Sequence, residues 1–248
     1  MQLVTIILAA GKGKRMNSDL PKVLLKANGK SMLEYNLNLA KEIGSSRIIT
    51  VIGYRKEDIL TLLKHWPDVE TVVQEEQLGT GHAVMQVSGN LADYKGNILV
   101  LYGDVPLLTT KTINQLADFH NQNENAVSVL SAKLDNPFGY GRIVRDEYGE
   151  FEKIVEEKDA SDEEKMVQEI NSGIMVFRSE ELFRSLNMVR NNNSQKEYYL
   201  TDTIEILRDM GRKVGVIIAE NSNEVLGANT PVQLQEIEEV LKNKSKLL

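Results

Sequence analysis

The chain has 248 residues, enough to bury a large core within a single α/β unit. Its 36 acidic against 29 basic side chains give a formal charge of -7, which disfavours a general nucleic-acid or anionic-membrane binder, because both need a cationic face. The absence of cysteine excludes disulfides, thiolate zinc sites and a cysteine nucleophile, and the histidines His65, His82 and His120 show no metal-ligand spacing.

The apolar start from Leu3 to Ala10 is too short to span a bilayer, and no basic segment precedes it as a secretory signal would require. A soluble, cytoplasmic protein is expected, acting on a small partner, with no nucleic acid and no membrane. Short aliphatic and β-branched runs follow at Leu3 to Leu8, Arg47 to Ile52, Glu70 to Val73 and Ile98 to Leu101, mostly without polar alternation, as in strands buried on both faces. Helix-like stretches at Met32 to Glu42, Lys56 to Leu63 and Gly81 to Val87 alternate with them, which predicts a mostly parallel sheet.

Beyond residue 125 the order becomes mixed. Ala126 to Ala132 reads as a strand, and Gly141 to Arg145 and Phe151 to Val155 flank Asp146-Glu147-Tyr148-Gly149-Glu150 as a hairpin. Gly173 to Phe177 and Val214 to Ile218 read as strands, separated by helical segments at Glu180 to Val189 and Thr201 to Met210. The acidic run Glu156 to Glu164 suits a solvated loop or a helix start. Thr230 to Lys244 predicts a closing amphipathic helix, with Thr230 as N-cap and Pro231 at the first helical position, before a short tail ending at Leu248. With no repeat and no Pro/Gly linker, one compact unit is expected.

The glycine-rich turn after the first strand, Leu8-Ala9-Ala10-Gly11-Lys12-Gly13-Lys14-Arg15-Met16, lets backbone amides approach a phosphate chain. A dinucleotide fingerprint wants glycine or alanine at position 16, and a Walker A loop wants glycine followed by Lys-Ser/Thr; the chain has Met16-Asn17-Ser18. From Gly11 to Lys30, six basic residues (Lys12, Lys14, Arg15, Lys22, Lys26, Lys30) face the single acid Asp19, a net of +5 within a chain of -7. For Lys12, Lys14, Lys26 and Lys30 plain solvation is as good an account as substrate contact; Arg15 and Lys22 are the stronger candidates.

This turn, followed by Leu20-Pro21-Lys22, resembles the signature of the sugar-phosphate nucleotidyltransferases. The resemblance implies a Rossmann-like, mostly parallel mixed α/β sheet flanked by helices, with a small β-hairpin sugar-binding region. It also implies that Leu8, Ala9, Ala10, Gly11 and Gly13 wrap the triphosphate, that Arg15 bears on the leaving phosphates, and that Lys22 sits near the α-phosphate.

The segment Gln74-Glu75-Glu76-Gln77-Leu78-Gly79-Thr80-Gly81-His82-Ala83 has polar groups that could read a base edge, and reads equally as a turn with a Thr cap. Ile98 to Leu107 is a buried-strand pattern ending in Tyr102-Gly103-Asp104, where a carboxylate is a plausible Mg²⁺ ligand or a turn cap before Pro106. Four further segments, Asn136 to Ile143, Ile154 to Glu156, Glu169 to Gly173 and Glu197 to Asp202, carry hydrogen-bonding groups suited to a sugar, each with an ordinary structural reading as well.

In this order the motifs resemble the pyrophosphorylase domain of the bifunctional bacterial enzymes that make UDP-N-acetylglucosamine. The resemblance implies that Gln74, Gly79 and Thr80 bind uracil, that Tyr102, Gly103, Asp104, Gly141, Glu156, Asn171 and Asn229 contact substrate, and that Asp104 and Asn229 hold Mg²⁺. The partners it implies are UTP and N-acetylglucosamine 1-phosphate. Ser172 and Ala228 stand where the family often has threonine and valine. Residues 1–229 would form the transferase unit and 230–248 a closing helix and tail, with no acetyltransferase β-helix, no acetyl transfer, and a monomer expected. Glucose 1-phosphate with UTP or dTTP is the alternative pair, and a non-catalytic subunit of the same fold the alternative class.

Overall fold

A computed structural model describes residues 3–16 and 18–245, and for Lys14, Lys244 and Ser245 the backbone only. Asn17 of the Met16-Asn17-Ser18 segment and the tail residues 246–248 lie outside the described residues.

The first half alternates as its sequence pattern requires. Strands β1 (Leu3–Ala9), β4 (Arg47–Ile52), β5 (Val69–Val73) and β6 (Asn97–Tyr102) are interleaved with helices α1 (Met32–Glu42), α2 (Lys56–Leu63) and α3 (Thr80–Met85). A two-stranded ribbon, β2 (Lys26–Ala27) and β3 (Lys30–Ser31), precedes α1. The second half adds α4 (Thr110–Gln122), β7 (Val127–Lys133), the hairpin β8 (Gly141–Arg145) and β9 (Phe151–Val155), α5 (Asp162–Lys165), β10 (Glu169–Arg178), α6 (Ser179–Leu186), α7 (Asp202–Asp209), β11 (Val214–Ile218) and α8 (Pro231–Ser245).

The main sheet runs β11-β7-β10-β6-β1-β4-β5, with β8 joined to β10 and β9 to β8. β1 pairs in parallel with β4 and β6, β4 with β5, and β7 with β11, whereas β10 is antiparallel to β6, β7 and β8. The sheet is therefore mostly parallel on one side and mixed on the other.

Successive side chains of a strand point to opposite faces, and both faces here are covered. Ile6, Val100 and Phe177 pack with residues of α3, α6 and α7, such as Val84, Leu182 and Ile204. Their neighbours Ile7, Leu101 and Val176 pack on the other face with residues of α1, α2 and α4, such as Leu37, Ile59 and Leu116. This is why the strand runs lack polar alternation, each fully buried aliphatic contributing about 1.5–3 kcal/mol.

Helix starts follow local chemistry. Ser31 and Glu34 form a reciprocal capping box on α1, and the Thr109 hydroxyl accepts from Thr112 N at 3.3 Å on α4. α8 begins as expected, with Thr230 Oγ1 accepting from Gln233 N at 3.3 Å, and its Ile237 and Leu241 close over Ala27, Met32, Leu107 and Ala228.

Three departures from the sequence pattern stand out. Helix α4 is absent from the expected elements. The strand expected at Gly173 to Phe177 spans Glu169–Arg178, with a register shift between Asn171 and Met175. Helix α6 stops at Leu186, short of Val189. Among the described residues no helix is long and apolar enough to cross a membrane.

Candidate active site

The register of the parallel strands brings their ends together. Leu8 lies opposite Val51 and Tyr102, and Ile52 opposite Val73, so the segments that follow β1, β5 and β6 leave the sheet at one carboxyl edge. Such an edge is where open α/β sheets bind ligands. A cleft of about 970 Å³ lies there, lined by Leu8, Ala9, Ala10, Gly11 and Gly13 from the first loop and by Gln74, Gly79 and Thr80 from the segment after β5.

At the glycine-loop end, Lys22 is tethered by short backbone turns, Leu24 N to Pro21 O at 2.9 Å and Leu25 N to Lys22 O at 3.1 Å. Its ammonium forms a short ion pair with Asp104 and donates to Asn229 Oδ1 at 3.0 Å. Asp104 is held by its position after β6, and its carbonyl accepts from Ala228 N at 3.1 Å, which fixes the loop bearing Asn229 beside it. One carboxylate oxygen and one amide oxygen thus converge on a single cationic position, a donor set that suits a hard cation. Among the described residues no group of three or more His, Cys, Asp or Glu could hold a metal, so a cation here would take only these two side chains and complete its shell from elsewhere.

The middle of the cleft is organised around Gln74, a buried side chain. Its amide nitrogen donates to Gly79 O and lies against His82 Nδ1, both at 3.0 Å. With the amide hydrogens turned inward, Oε1 is the atom left to accept. Two backbone bonds, Gly81 N to Tyr198 O and Tyr198 N to Leu78 O, both at 2.8 Å, lock this loop to the segment before α7, and the Thr80 hydroxyl accepts from Leu200 N at 3.0 Å.

At the far end, three adjacent strands each supply one polar position. Gly141 on β8 lies in register with Asn171 on β10, and a Cβ built on Gly141 would stand 3.4 Å from Glu156 Oε2, just past the end of β9. Asn171 Oδ1 accepts from Gly173 N at 3.0 Å, leaving its amide nitrogen as the remaining donor. Burial pushes the Glu156 carboxyl above its ordinary range, the Thr201 hydroxyl at 2.8 Å opposes this, and the nearby carboxylates Asp159 and Glu197 reinforce it. Tyr102 bridges the two ends; burial drives its hydroxyl far above the usual tyrosine value, and Glu156 adds to the shift. Its ring lies across Gly173, whose φ is +81° and where a Cβ would meet Tyr102 Cε2 at 2.5 Å.

Of the residues expected to act on, bind or hold nucleotide, sugar or metal, all but Arg15 and Gly103 line this cleft. Arg15 is exposed, and its charge acts on the Tyr140 hydroxyl, which places it near the cleft without lining it. Gly103 is packed beneath, its N–H bonded to Leu8 O at 2.9 Å. Lys12 lines the cleft, whereas Lys26 and Lys30 are simply exposed. Sequence reasoning named the segments that hold Tyr140, Glu197, Tyr199 and Thr201 as suited to a sugar but gave these four residues no individual role; the structure brings Glu197, Tyr199 and Thr201 to the Glu156 end and sets Tyr140 beside Gly141. The clustering of Glu197, Tyr199 and Thr201 with Glu156 depends on the long return from β9 to α7, for which no local pattern exists.

Residues 5–172 match the model of the MobA-like NTP transferase domain. The chain is 47% identical over 242 residues to the "Bifunctional protein GlmU" of Thermoanaerobacter pseudethanolicus, covering 98% of this chain and 52% of that protein. It is 48% identical over 239 residues to the protein of the same name from Streptococcus gordonii, with 96% and 52% covered. The chain therefore spans about half the length of these relatives. The fold also matches a solved structure of UDP-glucose pyrophosphorylase complexed with UDP-glucose, with a TM-score of 0.79 at 16% identity, over 98% of this chain and 100% of the other. With more than half its length matched, the chain belongs to the family of MobA-like NTP transferase domains.

Proposed function

We propose that the chain transfers a uridylyl group from UTP to N-acetylglucosamine 1-phosphate, forming UDP-N-acetylglucosamine and releasing pyrophosphate. The observation that carries this is the convergence, in one cleft, of a glycine loop with Lys22, an inward-turned Gln74, and the Gly141–Asn171–Glu156 trio. The relatives named GlmU support the same pair of substrates. In this reading residues 1–229 form the transferase unit, closed by the helix that follows.

Gln74 presents an acceptor because its amide hydrogens face Gly79 O and His82. A base with an N–H at its 3-position, as in uracil, meets that acceptor, whereas cytosine would set acceptor against acceptor and lose a hydrogen bond. Glu156 and the free amide nitrogen of Asn171 supply an acceptor and a donor for sugar hydroxyls and the acetamido group.

The chemistry is an in-line displacement. A phosphate oxygen of the sugar 1-phosphate forms a bond to the α-phosphorus of UTP while the α–β bridging bond breaks, and its electron pair leaves with pyrophosphate. The nucleophile is already anionic, so no general base is required, and catalysis rests on alignment and charge neutralisation. Arg15 and Lys22 supply positive charge. Asp104 and Asn229 are the residues that would hold a divalent cation, Mg²⁺ in our reading, which when bound neutralises phosphate charge.

The test is pyrophosphate release with Mg²⁺ across UTP, dTTP, CTP and ATP, each with N-acetylglucosamine 1-phosphate and glucose 1-phosphate. Release with UTP and the acetamido sugar above all other pairs is expected. Preference for another pair would overturn the substrate assignment, and silence with every pair would overturn the activity.

A further inference from the structure

Arg142 is the largest of the fully buried side chains, at 2% exposure, and it has no place in the displacement just described. Its guanidinium sits one residue from Gly141. It donates to Tyr140 O, pairs with Glu157 Oε2 at 2.8 Å, and lies 3.4 Å from Lys165 O at the end of α5. The Glu157 carboxylate in turn accepts from Gly139 N at 3.2 Å. The Arg142 Nε is buried without a hydrogen-bond partner. Burying a guanidinium in this way is costly, and apolar residues of similar volume serve stability as well or better. Fold stability alone is therefore a poor reason for an arginine at this position.

What the arginine does hold is the geometry of the far end of the cleft. Its contacts fall on Tyr140 and Glu157, the chain neighbours of Gly141 and Glu156, while β8 itself pairs with β10 at Asn171. β8 is thus the central splint between the two side chains that face the sugar, and Arg142 fastens both its entry and the exit of β9. Tyr140, whose carbonyl it grips, extends its hydroxyl to Gly227 N at 3.3 Å, two residues before Asn229.

We infer that Arg142, acting through Glu157 and the Tyr140 carbonyl, is a positioning residue for the sugar 1-phosphate, setting the spacing of Gly141, Asn171 and Glu156 without touching substrate. This rests on the assignment of that end of the cleft to the sugar. The base end, built from Gln74, Gly79 and Thr80, shares none of these contacts, so a fault at Arg142 should be felt by one substrate and not the other.

The experiment compares the unaltered chain with Arg142→Lys, Arg142→Met and the double variant Arg142→Met/Glu157→Gln. The double variant removes both charges, so that no unpaired carboxylate remains and the fold survives. Thermal melts confirm folding, and initial rates are measured with each substrate varied in turn, with UTP binding followed separately by calorimetry. For the double variant, KM for the sugar phosphate should rise about tenfold or more while kcat changes by less than about threefold and UTP affinity by less than about twofold. Arg142→Lys keeps the ion pair but cannot reach both carbonyls, and should fall between. A folded double variant with unchanged sugar KM, or with UTP KM rising in step, would overturn the inference. Failure of the unaltered chain to use any sugar 1-phosphate is a different result: it overturns the assignment of the site, and the role of Arg142 with it.

Discussion

Gly173 offers a substitution whose cost can be worked from two separate sources. Its φ of +81° is one that an L side chain rarely adopts, and a Cβ there would lie 2.5 Å from Tyr102 Cε2 and 3.0 Å from Cδ2 and Cζ. Gly149, in the hairpin turn, has the same φ of +81° with nothing within 4 Å of its would-be Cβ. Gly149→Ala should therefore cost only the backbone strain, about 1–2 kcal/mol. Gly173→Ala adds displacement of a packed ring, about 1–3 kcal/mol more, so a total of about 3 kcal/mol is expected. At roughly 2–4 °C per kcal/mol for a chain of this size, the melting temperature should fall by about 6–12 °C for Gly173→Ala and by about half that for Gly149→Ala. The ring is the bridge between the two ends of the cleft, so Gly173→Ala should also lower kcat/KM, and Gly149→Ala should not. Equal melting shifts in the two variants would refute the steric part of this reasoning; an unperturbed kcat/KM in Gly173→Ala would refute the role given to the Tyr102 ring.

Arg15→Ala should depress turnover by on the order of a hundredfold, about 3 kcal/mol, and a variant with normal kcat and weaker binding alone would remove Arg15 from the transition state. Asp104→Asn should shift the Mg²⁺ dependence of pyrophosphate release to higher concentration, and an unchanged Mg²⁺ titration would take Asp104 out of the proposed metal site. His120, with Nδ1 3.0 Å from Ser128 Oγ and Nε2 unpartnered, has its pKa pushed down to about 4 by burial, with Arg178 adding to the effect. Its neutral form is the one the fold accepts, so this contribution is complete above pH 6.5 and is lost as pH falls from 6.5 towards 4, up to about 3 kcal/mol. Denaturant melts at pH 7.5 and 4.5 should show a smaller pH penalty in His120→Gln, and identical slopes would acquit His120.

Much of this architecture is legible locally. The β1, β4 and β6 segments announce themselves by unbroken aliphatic runs because both faces of the sheet are covered, and α8 by Thr230-Pro231. Helix α4 was less visible because its apolar positions, Ile113 and Leu116, are set among polar residues and a buried His120. The extra length of β10 was hidden by Asn171, Ser172 and Gly173, which look like a turn by propensity: Asn171 is paired with both β7 and β8, and the strand resumes at Met175 beyond the register shift that holds Gly173. At the site, the glycine loop and Lys22 could be read from charge and spacing. The partnership of Gln74 with His82 and the grip of Arg142 on Glu157 could not, because both depend on tertiary packing that no local period encodes.

The Lys22 ammonium between Asp104 and Asn229 also means that the chain carries its own counter-ion. The Asp104 carboxylate is paired from within, so the fold does not depend on a metal at this position. Chelation should consequently silence the proposed activity while leaving the melting temperature where it was, and a chelator-induced drop in melting temperature would show that the lysine does not replace a metal in holding this end of the cleft.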